Sequence, residues 1–257
     1  MNINFIELLL SKLSKMNEIE IYCLSFRPER RQRMTDLFEK IGVSSIAHLS
    51  HGVAHDDVRL ARSNHNNAWS CMYGHLDMIS DFYHNTSKPY GIFCEDDISI
   101  HSRFADLLPS LVDDFKKAQL DILLLGYLST FKPTPDVFGP GFERIDIDYA
   151  SSGFGFHRYQ HPTIEIWGTQ MYMISREYAK WLIGAFSNGY AEYSVDNPHV
   201  TPFSADWIIT KNGRRAMITP SVAVEIYDYE KPYDHGPQNN FHKLSYEFHF
   251  DPNIHSK

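Results

Sequence analysis

Tyr90-Gly91-Ile92-Phe93-Cys94-Glu95-Asp96-Asp97-Ile98 sets the reading of the whole chain. A short apolar segment with the character of a buried strand runs straight into three acids. Adjacent carboxylates repel one another, and burying even one without a partner is costly. A cluster of this kind at a strand end calls for something that neutralises it. A hard divalent cation suits it, because Mg²⁺ and Mn²⁺ take carboxylate oxygens and keep positions open for phosphate. Ligands of α/β sheets bind beyond the carboxyl ends of the strands, which is where these acids fall. A solvated acidic turn is the plainer alternative.

Upstream, Ile19-Glu20-Ile21-Tyr22-Cys23-Leu24 reads as a first strand, broken by Phe26-Arg27-Pro28. Pro28 suits the first turn of a helix with the stripe Met34, Leu37, Phe38 and Ile41, and Gly42 suits its C-terminal cap. Residues 45–49 read as a second strand, so the chain opens as a βαβ unit and predicts parallel strands in an α/β fold. A long helix is expected over residues 66–83, with Trp69, Met72, Leu76, Ile79 and Tyr83 on one face. Beyond the acids, Phe104, Leu107, Leu108, Leu111, Val112 and Phe115 recur at helical spacing, and Pro109 predicts a kink or a split there. Later strands are expected at residues 121–125, 164–167, 171–174, 216–218 and 222–224. Helices are expected around Tyr178, Trp181 and Phe186 and over residues 204–210.

Residues 127–162 carry many Gly, Pro and aromatic residues and little periodicity. So long an irregular segment in a compact domain reads as a flap or an acceptor-facing insertion. We read residues 1–18 as an amphipathic helix or extension, 19–226 as one catalytic domain, and 227–257 as a tail that closes over its site.

The chain is long enough for one large or two small domains and apolar enough to bury a substantial core. A formal net charge of −8 argues against binding a phosphate backbone wholesale, so no nucleic-acid partner is expected. Cys23, Cys71 and Cys94 show no CxxC spacing and read as reduced core thiols, which points to a cytoplasmic setting. The apolar patch around Phe5, Leu8, Leu9 and Leu10 is too short to span a bilayer, so no transmembrane segment is expected.

Several blocks together resemble glycosyltransferase family 25. Ile21-Tyr22-Cys23-Leu24-Ser25 with Arg27, Arg30 and Arg31 is similar to the family's opening strand and arginine turn. Cys71-Met72-Tyr73-Gly74-His75 is similar to its Cys-x-x-Ser-His segment, with Gly74 in place of Ser and Ser70 where Gly usually precedes the Cys. Glu95-Asp96-Asp97 matches its acidic motif. Gly168-Thr169-Gln170-Met171-Tyr172-Met173-Ile174-Ser175-Arg176 and Ala205-Asp206-Trp207 resemble its later blocks. The resemblance implies a GT-A-like, Rossmann-type fold: a mixed, mostly parallel sheet flanked by helices. It also implies a nucleotide-sugar donor (a UDP-sugar), an acidic motif that holds Mn²⁺ or Mg²⁺, and inverting transfer to a hydroxyl on a glycan or glycosylated protein.

Within that frame Asp97 and Glu95 are the expected metal ligands. Period-two geometry turns Asp96 to the other face, toward the donor. Arg27 and Arg30 are candidates for the donor's phosphates, since arginine makes bidentate phosphate contacts; a solvated helix start is the alternative. Gly168, Thr169 and Gln170 are expected to shape the sugar pocket. Asp206 is the expected base for the acceptor hydroxyl, although an Asp there also suits a helix N-cap. His75 reads as a hydrogen-bonded core histidine, and His235 as a tail histidine that could complete the metal site. The rival functions are a non-catalytic transferase-like binding domain and a metal-dependent nucleotidyltransferase.

Overall fold

Ile19, Ile21 and Cys23 are buried on one face of the first strand and Tyr22 on the other. The strand therefore belongs in the middle of a sheet covered on two sides. The computed structural model describes residues 14–63, 66–131, 133–139, 141–147, 150–159, 166–230 and 236–256. In chain order the elements are β1 (Ile19–Leu24), α1 (Pro28–Lys40), β2 (Ala47–Ser50), α2 (Asn66–Asn85), β3 (Tyr90–Glu95), β4 (Ile98–His101), α3 (Phe104–Lys117), β5 (Ile122–Leu128) and α4 (Pro135–Phe138). They continue with β6 (Glu143–Arg144), β7 (Gly155–Arg158), β8 (Trp167–Ser175), α5 (Arg176–Phe186), α6 (Tyr190–Asp196), α7 (Ala205–Ile208), β9 (Arg215–Thr219), β10 (Ala223–Glu225), α8 (Gly236–His249) and β11 (His255–Ser256).

The sheet runs β11-β4-β10-β5-β8-β3-β1-β2. β9 joins the first half of β5 and carries β7 and β6 beyond it. Strands β1, β2, β3, β5, β9 and β10 point the same way, while β8 runs against its neighbours β3 and β5. This is a mixed α/β sheet, mostly codirectional and flanked by helices. One consequence follows for the site. The carboxyl ends of β1, β3, β5 and β10 and the amino end of β8 all lie along one edge.

Alternation along the strands builds two cores. On one face Tyr22, Phe93 and Tyr172 sit opposite each other in register on β1, β3 and β8. Their rings stack at centroid distances of 5.6 and 5.5 Å. Each such pair contributes about 0.5–1.5 kcal/mol beyond its buried area. Phe82, Met72 and Ile79 of α2 and Ala179 and Leu182 of α5 cover this face. On the other face Ile21, Cys23, Ile92, Cys94, Met171 and Met173 meet Met34 and Leu37 of α1 and Leu108, Leu111 and Phe115 of α3.

Gly74 has a local physical reason. A Cβ there would meet the Leu24 side chain at 2.7 Å, so a larger residue would make Leu24 shift.

The structure departs from the sequence expectations in specific places. α3 runs through Pro109 without a break. The proline removes one backbone bond, and the buried stripe of Phe104, Leu108, Leu111, Val112 and Phe115 offsets it. The second strand is Ala47–Ser50, with a 3₁₀ turn over Ser44–Ile46 before it. β8 is one long strand, although Ile164 and Glu165 of the expected earlier strand lie outside the described residues. β4 was not anticipated; it follows the acids at once and pairs with β10 and β11. The described part of residues 127–162 packs onto the sheet, with Phe142, Phe156 and Tyr159 buried. The tail forms α8 and β11. Residues 1–13, which carry most of the expected N-terminal helix, lie outside the described residues. Among the described residues no helix is long and apolar enough to cross a membrane.

Candidate functional site

Two cavities open at the sheet edge where the strand ends gather. The larger, about 480 Å³, is lined by Glu95, Asp97, Trp167, Asp206, Glu225 and His242 among others. The smaller, about 280 Å³, lies over Arg27, Arg30, Asn67 and the acidic triplet. Cys71, Glu95 and Asp97 line both, so the acids stand where the cavities meet.

The triplet splits as strand geometry requires. Asp96 turns to β1 and α1, where the Ser25 hydroxyl donates to Oδ2 at 2.8 Å and Arg30 to Oδ1 at 2.8 Å. Arg30 also reaches Asp97 Oδ2 at 3.3 Å. The turn backbone is pinned by Arg33, which donates to the carbonyls of Asp96 and, at 3.0 Å, of Ile98. Arg31 holds the ends of β1 and β2 through the carbonyls of Ser25 and Ser50. Two of the four arginines of this region are therefore structural. Arg30 neutralises acids, and Arg27 is exposed at the rim of the smaller cavity.

Three consecutive residues at the start of β8 each hold one carboxylate. The Gly168 N–H donates to Asp206 Oδ1 at 2.6 Å. The Thr169 hydroxyl donates to Glu95 Oε1 at 2.7 Å. The Gln170 amide donates to Glu225 Oε2 at 3.0 Å. The side-chain donors of Thr169 and Gln170 are thus occupied by acids of the site. Asp206 does not cap its helix. Ser204 is at the cap position without a side-chain bond, and the Asp206 carboxylate reaches across to β8.

Glu225 escaped the sequence reading. It ends β10 as Glu95 ends β3, and the run Val222-Ala223-Val224-Glu225 carries the same signal of an apolar strand closing in an acid. Glu225 is buried and also meets His242 Nδ1 of α8 at 2.9 Å. Gln238, Phe241 and His242 bring α8 over the larger cavity. Among the described residues, His242 is a tail histidine that enters the site. His235 lies outside the described residues.

Burial and charge crowding shift these groups from their ordinary values. Burial, then the carboxylates of Glu225 and Glu95, push Asp97 up to about 8 against the pull of Arg30. Burial and Glu95 also raise Asp206, opposed by the Gly168 N–H and by Lys211. Burial acts on Glu95 in the same sense, but His75, Thr169 and Arg30 outweigh it and hold its carboxyl below the ordinary value. Lys211 sits between Trp167 and Trp207, with Nζ 3.8 and 4.0 Å from the ring centroids. Burial lowers it to about 8 even with Asp206 near. His75 is fully buried, as expected of a core histidine, and its Nδ1 lies 2.9 Å from the Tyr172 hydroxyl.

Gly168 has φ +99°, and a Cβ there would fall 1.7 Å from Gln170 Oε1. We expect Gly168→Ala to destabilise the fold by roughly 1–2 kcal/mol from backbone strain alone. It should also displace Gln170 from Glu225. A urea unfolding curve of the variant against wild type checks the first effect.

No protein-family profile matches the sequence, and no curated protein matches it. Among solved structures, the chain is similar to A197 from STIV, at 13% identity and a TM-score of 0.40, over 82% of this chain and 86% of that one. It is similar to a mannose-1-phosphate geranyltransferase from Thermus thermophilus, at 8% identity and a TM-score of 0.41, over 78% and 73%. A glycosyltransferase involved in glycosylation of the major capsid of PBCV-1 aligns at 10% identity and a TM-score of 0.37, over 77% and 81%. Overlap this loose assigns neither a family nor an activity, so the resemblance to family 25 rests on its motif blocks alone.

Proposed function

We propose that this chain is a glycosyltransferase that takes a sugar from a nucleoside diphosphate sugar, with a UDP-sugar as the first choice, and passes it to a hydroxyl of a glycan or glycosylated protein. One observation carries the reading: two cavities share a wall of half-buried carboxylates, Glu95 and Asp97, at the carboxyl edge of an α/β sheet. The arginine-lined cavity suits the nucleotide and its phosphates. The larger one, with Trp167 on its wall, suits the sugar and the acceptor. The motif blocks shared with family 25 fall on this site: the arginine turn, Glu95-Asp96-Asp97, Gly168-Thr169-Gln170 and Asp206.

The donor set fits a hard cation. Among the described residues Arg30 meets Asp97 at 3.3 Å and His242 meets Glu225 at 2.9 Å, yet burial and the carboxylates of Glu225 and Glu95 still push Asp97 up to about 8. Asp97 and Glu225 would hold Mn²⁺ or Mg²⁺, with Glu95 beside them. When bound, that ion would stabilise the charge of the departing diphosphate. The chain supplies the rest. Arg27 and Arg30 bind phosphate oxygens. Thr169 and Gln170 keep Glu95 and Glu225 in place. Asp206, held by Gly168 N–H, takes the proton of the acceptor hydroxyl as its oxygen attacks the anomeric carbon from the face opposite the diphosphate. α8 narrows the access of water.

The test is hydrolysis of a panel of nucleoside diphosphate sugars by the full chain, with and without Mn²⁺. We expect slow, cation-dependent release of the nucleoside diphosphate from one member. A panel with no turnover and no binding of any member overturns the reading.

A further inference from the structure

Cys71 and His75 stand one turn apart on α2, so their side chains share a face. Glu95 ends the neighbouring β3. Cys71 Sγ, a ring nitrogen of His75 and a Glu95 carboxylate oxygen lie within 4.8 Å of one another. His75 is fully buried, and its Nε2 has no hydrogen-bond partner. Glu95 Oε1 is 3.7 Å from that nitrogen, an ionic contact beyond hydrogen-bond reach. Buried polar atoms are nearly always paired, so an orphaned imidazole nitrogen aimed between a thiol and a carboxylate needs an explanation.

The surroundings supply one. The other imidazole nitrogen is held by the Tyr172 hydroxyl at 2.9 Å, and Glu95 by the Thr169 hydroxyl at 2.7 Å. Outer partners of this kind orient metal-bound histidines and carboxylates. One sulfur, one nitrogen and one oxygen are the donors of a zinc-class cation, unlike the all-oxygen set that Mg²⁺ and Mn²⁺ prefer. Cys71 and Glu95 line both cavities, so a fourth coordination position would open on the cleft.

We infer that Cys71, His75 and Glu95 form a three-ligand site for a borderline-soft divalent cation of the zinc class, which adjoins the hard-cation position at Asp97 and Glu225 through Glu95. The site would stand whether or not the chain transfers a sugar. Its test therefore uses metal alone, without nucleotide.

Co²⁺ serves as the spectroscopic stand-in for Zn²⁺. Titrating it into the full chain should produce a thiolate-to-cobalt charge-transfer band that saturates at one equivalent. Cys71→Ser and, separately, His75→Gln should each abolish that band, while Asp97→Asn leaves it. Zn²⁺ should also protect Cys71 from alkylation in the wild-type chain, as read by peptide mass spectrometry, which keeps the test decisive if a variant fails to fold. Cobalt bound through oxygen only, a band that survives in Cys71→Ser because Cys23 or Cys94 supplies the thiolate, or a Cys71 alkylated equally with and without Zn²⁺ would each overturn the inference.

Discussion

Asp206→Asn should lower sugar transfer by roughly 100- to 10,000-fold, the usual range for loss of a general base. The substitution is nearly isosteric. Its amide oxygen still accepts from the Gly168 N–H, which positions the carboxylate. The fold and the cavity should therefore survive, and donor affinity should stay near wild type. What changes is the ability to take a proton. Burial and the negative charge of Glu95 raise the carboxyl of Asp206 above the ordinary aspartate range, which brings a weak base closer to working strength. Lys211 works against that shift, anchored between Trp167 and Trp207. Turnover and donor binding are measured side by side, using the donor found by hydrolysis. Undiminished turnover excludes Asp206 as the base. Loss of donor binding together with turnover would make it a scaffold residue for β8.

The strands and long helices that frame this site were legible because their burial is periodic. β1 and α1 follow from alternation and from the Met34-Leu37-Phe38-Ile41 stripe, which the structure buries as expected. The acidic edge was legible because charge in an apolar run has no ordinary explanation. Other parts were hidden for physical reasons. β4 was missed because three acids read as the end of a strand, yet Arg33 and Arg30 neutralise the turn and let the chain re-enter the sheet after it. α8 was missed because its inward face is mainly polar and aromatic: His242, Ser245 and Tyr246 face the protein, so the hydrophobic stripe is weak. Glu225 was overlooked because a single acid at a strand end is common. Its meaning comes only from β10 lying two strands from β8 in a topology that puts Glu225 beside Gln170. Side-chain pairing across non-sequential strands is a property of the fold, and no local window contains it.

Asp97→Asn should abolish the stabilisation that Mn²⁺ confers together with a nucleoside diphosphate. For the wild-type chain, ligand at about 100 times its Kd adds about 2.7 kcal/mol to stability, a rise in Tm of roughly 5–10 °C for a domain of this size. The variant should show nucleotide binding that no longer depends on the cation. The metal-free variant should meanwhile be at least as stable as metal-free wild type. Asp97 is half-buried beside Glu225 and Glu95, and burial with that repulsion drives its carboxyl up to about 8. A neutral amide relieves the repulsion. The loss to Arg30 is small, because Arg30 keeps its shorter contact with Asp96 at 2.8 Å and gives up only the 3.3 Å one to Asp97. A residue kept for the fold would show the reverse pattern, since breaking a buried ion pair is strongly destabilising. Thermal melts of both proteins, with and without Mn²⁺ and nucleotide, separate the two cases. A variant that melts well below wild type without metal, or that retains the full cation-dependent shift, would remove Asp97 from the cation site. The negative edge of the sheet would then be an accident of folding rather than a place built for a diphosphate.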